Sequence, residues 1–204
     1  MTSQMHGLVP DRATAALIIL DLISDFQFPD GPAVLRAARR IAPRIARLKE
    51  RCHRAGIACI YVNDNWGRWR SDSSRLIEDC LRPDSVGADV VARIRPEDTD
   101  YLILKPRHSA FFATPLEVLL EHLGVKRLLL TGVSSHQCVL FTANDAHLRG
   151  LELVVPPDCI AAPTARDTRF AVKYFSDVLG AKVLPSDQLR LASLNKVGRR
   201  RGSA

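Results

Sequence analysis

The stretch LLLTGVSSHQCVLFTANDAHLRG, residues 128–150, contains the alternation of elements that decides the fold. An apolar run typical of a buried strand leads into a turn at residues 131–135, and helical spacing follows as far as Gly150, an expected C-cap glycine. Cys138 lies near the start of this helix, where unpaired backbone N–H groups and the helix dipole favour the thiolate, the nucleophilic form of cysteine. A small buried core residue is the alternative interpretation of this thiol.

The same alternation of strand and helix patterns continues along the chain. Strands are predicted near 15–21, 57–63, 101–105, 127–132, 152–156 and 181–184, and helices near 31–55, 73–80, 84–93, 114–123, 136–149, 164–179 and 186–194. This order is typical of a parallel sheet covered by helices on both faces, so we predict an α/β protein with a three-layer, doubly wound (Rossmann-like) fold. Pro43, inside the first helical stretch, predicts a kink or a break into two helices.

Two further predicted strands end in a charged residue. The segment AALIILDLISDF, residues 15–26, places Asp21 directly after a buried strand, where a carboxylate is costly to bury without a partner. The segment YLILKPRHSAFFATPLEVLL, residues 101–120, ends its strand in Lys105. Lysines at such positions usually reach solvent. If the strands run parallel, however, Asp21, Lys105 and Cys138 emerge at the same carboxyl edge, where open α/β sheets bind ligands.

These three residue types fit the chemistry of acyl transfer. Asp21 is a candidate base for the thiol proton of Cys138. The ammonium of Lys105 would keep that carboxylate ionised and stabilise developing negative charge, while backbone N–H groups of the turn would form an oxyanion hole. A dinucleotide-binding domain is not favoured, because no G-x-G-x-x-G motif follows the first strand.

The chain resembles the isochorismatase-like cysteine hydrolases, a superfamily with nicotinamidases, N-carbamoylsarcosine amidohydrolases and ureidoacrylate hydrolases. The matching motifs are ALIILDLISDF, LKPRHSAF and TGVSSHQCVLFTANDAHLRG, followed by VVPPDCIAA, and the match covers roughly residues 13–190. The resemblance implies a six-stranded parallel sheet. It also implies that Asp21 is the general base, Lys105 its cationic partner and Cys138 the nucleophile.

Two features of the turn before the nucleophile follow from the same resemblance. Many members of the superfamily have a cis peptide bond that corresponds here to Val133–Ser134. The N–H groups of Ser134 and Cys138 would then form the oxyanion hole.

One departure from the superfamily bears on metals. Its nicotinamidases bind a divalent metal through an Asp-x-His pair and a later His. Here Asp64 is present, but Trp66 stands at the position of the first His and no His follows in the loop. One carboxylate without imidazole partners makes a poor transition-metal site, so we predict no metal, no cofactor and no nicotinamidase activity.

The resemblance and the presence of Cys138 together imply hydrolysis of a carbonyl C–N bond in a small carboxamide, ureido or carbamoyl substrate. An isochorismatase-type C–O (vinyl ether) hydrolase and a non-catalytic ligand-binding protein are the alternatives. The residues expected to line the substrate pocket are Phe26, Asn65, Trp66, Arg68, His108, Ser135 and His136. The loop that carries Trp66 and Arg68 has a second interpretation, as a segment anchored by its tryptophans or as a subunit interface.

Composition indicates one enzyme domain. The chain has 204 residues, 47% of them hydrophobic, and no apolar run as long as a membrane span. We expect a single isochorismatase-like hydrolase domain over residues 1–195 and a basic, disordered tail over residues 196–204. Five cysteines without a Cys-x-x-Cys motif favour reduced thiols and a cytoplasmic location.

The net charge of +7 includes four cations in that tail, and basic residues elsewhere are interpreted as scattered among acids. The expected partners are therefore a small-molecule substrate and further copies of the chain in a homodimer or homotetramer. Neither a nucleic acid nor a membrane is expected as a partner.

Overall fold

A parallel β-sheet runs through the centre of the computed structural model, which describes residues 13–65, 67 and 72–195. Its strands are β1 (Ala15–Leu20), β2 (Ala58–Asp64), β3 (Tyr101–Lys105), β4 (Arg127–Val133), β5 (Glu152–Val155), β6 (Ile160–Ala161) and β7 (Lys182–Val183). The order across the sheet is β3-β2-β1-β4-β5-β7, and β6 pairs with the end of β4. All six predicted strands are present, and the two-residue β6 is an addition that the sequence analysis missed.

Helices cover both faces of this sheet. They are α1 (Gly31–Arg54), α2 (Ser73–Cys80), α3 (Ala88–Arg93), α4 (Leu116–Leu123), α5 (Cys138–Leu148), α6 (Ala165–Asp177) and α7 (Leu191–Leu194), with a 3₁₀ turn at Ser186–Gln188 before α7. Residues of α1, α3 and α7 pack in one apolar cluster and residues of α4, α5 and α6 in another, which confirms the three-layer, doubly wound fold. None of the helices within the described residues is long and apolar enough to cross a bilayer.

The central strand β1 shows why the apolar runs form the middle of the sheet. All six residues of β1 are buried, and it pairs in parallel with β2 on one side and β4 on the other. Leu17 and Ile19 face the cluster that contains α1, whereas Ile18 and Leu20 face the other cluster. A strand buried on both faces has no polar alternation, as expected for parallel sheets.

Helix α1 continues through Pro43 without interruption, so the predicted break into two helices is wrong. The apolar residues on both sides of the proline explain this. Ile41, Ile45 and Leu48 are buried against the sheet and hold the two halves of the helix on one surface. This packing outweighs the loss of a backbone hydrogen bond at the proline.

Candidate active site

Asp21 follows β1 directly, at the carboxyl edge of the sheet. Its φ of 51° is in the left-handed region, which aspartate adopts more readily than most residues. The backbone N–H of Asp64 donates a hydrogen bond of 2.7 Å to Asp21 Oδ1. The next residues are held by Asn63, which is buried: its side-chain amide accepts from the Ile23 N–H at 3.1 Å and donates to the Ile23 carbonyl at 2.7 Å. The end of β2 thus fixes the position of the carboxylate.

Lys105, the last residue of β3, contacts both of the other residues that the sequence analysis singled out. Its side chain is fully buried, and Nζ lies 2.9 Å from Asp21 Oδ2. The same Nζ lies 3.6 Å from Cys138 Sγ and 3.7 Å from Asp64 Oδ2. The structure therefore brings Asp21, Lys105 and Cys138 together around one ammonium group, which does not reach solvent.

Cys138 is the first residue of α5, immediately after the turn that leaves β4. The Val133–Ser134 peptide bond is cis, as the resemblance implied. The Ser134 carbonyl accepts hydrogen bonds from the N–H groups of Gln137 and Val139, at 3.0 and 3.2 Å. Within the described residues, the N–H groups of Ser134 and Cys138 donate to no acceptor. These are the two groups expected at the oxyanion hole.

The electrostatics of the site keep the thiol protonated in the free protein. Burial raises the pKa of Asp21, and this outweighs the lowering by Lys105, Cys138 and the Asp64 N–H. Burial also raises the pKa of Cys138, and Asp21 raises it further, against the lowering by Lys105. Burial lowers the pKa of Lys105, but the charges of Asp21, Cys138 and Asp64 outweigh it, so the net shift is upward. The expected preference for thiolate is wrong here, because burial and Asp21 exceed the effect of the helix start.

A cleft of about 190 Å³ opens above these groups. Its lining residues are Asp21, Ser24, Phe28, Val34, Asp64, His108, Val133, Ser134, Gln137 and Cys138. Of the residues predicted for the pocket wall, His108 lies here, with Nδ1 3.9 Å from Cys138 Sγ. Its ring packs against Phe141 at a centroid distance of 5.4 Å.

Phe26 does not line this cleft, which corrects the sequence-based expectation. Its side chain is 2% exposed and belongs to the core cluster that contains α1. The φ of 54° at Phe26 turns the ring inward against Gly87, where a Cβ would lie 2.7 Å from a ring carbon. Phe28, two residues later, is half-buried and provides the aromatic wall instead.

Ser135 and His136 also lie outside the cleft wall. Ser135 is fully buried, and its N–H donates to the Ala161 carbonyl at 2.8 Å, so it joins the turn to β6. His136 is half-buried and is not among the lining residues.

The loop after β2 is described only in part. Asn65 is buried, its N–H donates to the Lys105 carbonyl at 3.0 Å, and its Oδ1 accepts from the Gly67 N–H at 2.9 Å. Asn65 thus has a structural role and is not among the lining residues. Trp66 and Arg68 lie outside the described residues.

Several lining residues were not predicted as part of the pocket wall. They are Ser24, Phe28, Val34, Asp64, Val133 and Gln137. Gln137 directly precedes the thiol, and this position was a usable signal. Val34 comes from α1, and no local pattern indicates that the start of this helix closes one side of the cleft.

The site does not fit the divalent metal that the resemblance to nicotinamidases implies. Lys105 Nζ lies 2.9 Å from Asp21 and 3.7 Å from Asp64, so an ammonium already provides positive charge between the carboxylates. Trp66 stands where the superfamily pattern has its first histidine. A carboxylate pair that shares an ammonium is a poor donor set for a transition metal.

Three potential metal ligands do meet elsewhere, at the amino edge of the sheet. They are His53, Cys59 and Asp100. Asp100 already accepts from Lys49 Nζ at 2.9 Å and contacts His53 Nε2 at 2.7 Å. Burial raises the pKa of Cys59, which keeps it a thiol. This cluster is therefore an internal ion-pair network.

The fold and the cleft define a doubly wound α/β protein with a cysteine at the carboxyl edge of its sheet. The Isochorismatase domain matches residues 15–188, most of the chain. The chain therefore belongs to the isochorismatase family, whose members are mostly hydrolases and include amidases. This confirms the resemblance inferred from the motifs.

Three similar proteins illustrate this relationship. The uncharacterized isochorismatase family protein YaaI of Bacillus subtilis (strain 168) is 37% identical over 178 residues, which are 87% of this chain and 97% of that protein. A probable inactive nicotinamidase of Arabidopsis thaliana is 31% identical over 141 residues, 64% of this chain and 71% of that protein. The crystal structure of N-carbamoylsarcosine amidase from Thermoplasma acidophilum is 27% identical, with a TM-score of 0.66 and coverage of 87% and 99%.

Proposed function

We propose that this protein is a cysteine hydrolase that cleaves the C–N bond of a small carboxamide, ureido or carbamoyl compound. The observation that carries the proposal is the position of Lys105, whose Nζ contacts both Asp21 and Cys138 Sγ, two residues that line the cleft. The similarity to an N-carbamoylsarcosine amidase supports the same reaction class. The small volume of the cleft, about 190 Å³, supports a small substrate.

The first half of the reaction forms a thioester. The substrate carbonyl oxygen points to the N–H groups of Ser134, in the turn after β4, and of Cys138, the first residue of α5. Asp21 takes the thiol proton as Cys138 Sγ attacks the carbonyl carbon, and the N–H groups stabilise the oxyanion. Burial raises the pKa of Asp21, which strengthens it as a proton acceptor for a thiol, and the charge of Lys105 lowers this pKa in part.

The second half releases both products. The C–N bond breaks as the leaving nitrogen takes the proton from Asp21, so ammonia or an amine departs and the acyl group stays on Cys138. Asp21 then takes a proton from a water molecule that attacks the thioester carbon. Collapse of the second tetrahedral intermediate frees the acid product, and the proton returns to the Cys138 sulfur.

An ammonia-release assay tests the proposal. Small carboxamides, ureido acids and carbamoyl amino acids are incubated with the protein, with and without EDTA, beside Cys138→Ala and the matched control Cys80→Ala. Cys80 is a buried thiol in α2, away from the cleft. We expect release that EDTA leaves unchanged, that Cys138→Ala abolishes and that the control retains. Release that survives Cys138→Ala would exclude the thioester route.

The remaining sequence-based expectations stay predictions. They concern the homodimer or homotetramer, the cytoplasmic location, the absence of a cofactor, and the division into residues 1–195 and 196–204.

A further inference from the structure

The outer face of α1 carries a row of arginines. Their spacing of three or four residues places them on one side of the helix, within a sector of roughly 80° and over a length of about 27 Å. This arginine stripe consists of Arg36, Arg40, Arg44, Arg47, Arg51 and Arg54. Five of the six side chains are exposed and Arg51 is half-buried. The basic residues of α1 are thus aligned and not scattered, which removes the reason for excluding a polyanionic partner.

Within the described residues, none of the acids near this stripe pairs with it, although Glu50, exposed on α1, follows Arg47 by three residues and precedes Arg54 by four. Arg39, beside the stripe, pairs with Asp89, but none of the six stripe arginines forms an ion pair. Arg40 and Arg44 donate hydrogen bonds to backbone carbonyls, as does Arg51, and these contacts leave the charges in place. Like charges three or four residues apart destabilise a helix slightly, so the stripe arginines before the last turn, Arg36 to Arg47, do not serve the stability of α1.

The last described residue, Asn195, lies beside one end of the stripe. Asn195 Nδ2 donates to the carbonyls of Ala55 and Gly56 at 2.9 and 3.0 Å, which places the end of the described chain next to Arg54. The sequence then continues with residues 196–204, which contain four cations and no acid and lie outside the described residues. Without the six stripe arginines and these four cations, the net charge of +7 becomes −3.

The chemistry of the stripe favours phosphate over a protein partner. Guanidinium groups bind phosphate oxygens in pairs of hydrogen bonds. Arginine is also frequent at protein interfaces, but there it accompanies an apolar or aromatic centre. The large apolar residues that are exposed lie outside α1, at Val86, Phe112, Val118, Phe141, Leu148, Phe170 and Val178. The stripe also lacks aromatic rings on which single-stranded bases would stack.

Acidic side chains lie close to one part of the stripe. Arg44, Arg47 and Arg51 border a groove of about 500 Å³ that Asp158 and Asp187 also line. The carboxylate of Asp158 accepts hydrogen bonds from Ser186 and is therefore engaged. These two acids weaken the field near Arg51, so the strongest phosphate contacts belong to the stripe from Arg36 to Arg47.

We propose that the arginine stripe binds the phosphate backbone of duplex nucleic acid without regard to base sequence. This surface is separate from the cysteine cleft, and the proposal does not depend on the hydrolysis proposed above. Binding of this type releases condensed counterions, so the affinity falls steeply as salt rises.

Fluorescence anisotropy with a labelled DNA duplex of about 20 base pairs, between about 50 and 200 mM NaCl, tests the proposal. The variant Arg40→Glu/Arg44→Glu/Arg47→Glu should bind at least about tenfold more weakly, with a salt slope smaller by roughly 0.9 for each lost contact. The matched control Arg166→Glu/Arg169→Glu/Lys182→Glu changes the net charge equally, at three exposed positions on α6 and β7. It should lose much less affinity.

Several outcomes would overturn the proposal: no duplex binding by the unaltered protein at low salt, an equal loss in the control variant, or tighter binding of single-stranded DNA or of poly-glutamate. Arg199→Ala/Arg200→Ala/Arg201→Ala measures the contribution of the tail. Binding that vanishes in this variant and survives in the stripe variant would also contradict it. Far-UV circular dichroism shows that each variant is folded.

Discussion

The buried ammonium of Lys105 lies 2.9 Å from the carboxylate of Asp21, at the edge where β3 and β1 end. Each charge is tolerable in this position because the other is present. The pair also sets the protonation of Cys138, whose pKa Asp21 raises and Lys105 lowers. The stability of the buried ion pair and the protonation of Cys138 therefore depend on the same three residues. Single substitutions should separate the two properties.

Lys105→Met should destabilise the protein by about 3–5 kcal/mol at neutral pH, because it leaves a buried carboxylate without its cation. Asp21 already has a raised pKa in the folded protein, and the loss of Lys105 raises it further. Below a pH of about 3.9, this carboxyl is protonated in both the folded and the unfolded protein, so its raised pKa costs no stability. As pH rises, the unfolded protein releases this proton first, and the loss in the free energy of unfolding grows. Urea unfolding across the acid range measures this.

The control for Lys105→Met is Lys173→Met, which removes an exposed lysine paired with Asp177 on α6. Solvent screens that pair, so the free energy of unfolding should hardly change. Equal stability of Lys105→Met and the unaltered protein at neutral pH would show that Asp21 does not depend on the ammonium.

Asp21→Asn should increase alkylation of Cys138 by iodoacetamide near neutral pH while hydrolysis is lost. Asp21 raises the pKa of the thiol in the free protein, and Lys105 remains to stabilise the thiolate after the substitution. At a fixed pH below the pKa, each unit by which it falls raises the thiolate fraction about tenfold. Peptide mapping by mass spectrometry separates Cys138 from the other four cysteines, which are all buried.

The matched control is Asp25→Asn, in the same loop, where the carboxylate accepts a hydrogen bond from the Gln27 N–H at 3.0 Å. It should leave the alkylation rate unchanged. Slower alkylation in Asp21→Asn would mean that Asp21 already acts as a base before substrate binds.

Much of the fold could be predicted because the central strands are buried, mainly apolar runs. β1 is the example: AALIIL is apolar throughout, as a strand covered on both faces must be. The two-residue β6 has no such signal, since it exists only through its pairing with β4, Gly132 opposite Ile160. Its detection requires the tertiary structure.

The three central site residues could be predicted because parallel strands end at one edge. Which side chain near Asp21 lines the cleft could not be predicted, because the backbone at Phe26 has φ 54° and directs this ring into the core. The arginine stripe of α1, in contrast, has a signal in the sequence, because its basic residues recur at helical spacing on the side opposite the apolar ones.

Phe26→Ala and Phe28→Ala should have different effects. Phe26 is 2% exposed in the core, and its truncation should destabilise the protein by about 3–5 kcal/mol. Phe28 is half-buried at the cleft, and its truncation should mainly raise KM for a substrate found in the ammonia-release assay. Urea unfolding and steady-state kinetics of both variants check this. If Phe28→Ala and the unaltered protein had the same KM, Phe28 would not contact the substrate.

Gly132→Ala should loosen the junction between β4 and β1 on which the site is built. Gly132 has φ 109° and pairs with Leu20, the residue before Asp21. A Cβ at Gly132 would lie 2.1 Å from the Leu20 carbonyl oxygen and 2.7 Å from its nitrogen, and neither backbone atom can move without shifting the strand. We expect a loss of roughly 2–4 kcal/mol in the free energy of unfolding, together with altered alkylation of Cys138.

The control for this change is Gly150→Ala. It separates the effect of a close contact made by the added Cβ from the effect of the positive φ. Gly150 also has a positive φ, 71°, but nothing lies within 4 Å of its added Cβ. Its substitution should therefore cost only the left-handed conformation, about 1–2 kcal/mol, and should leave Cys138 alkylation unchanged. Equal losses of stability in Gly132→Ala and Gly150→Ala, with the same rate of Cys138 alkylation in both, would show that the approach of β4 to Leu20 has no influence on the site.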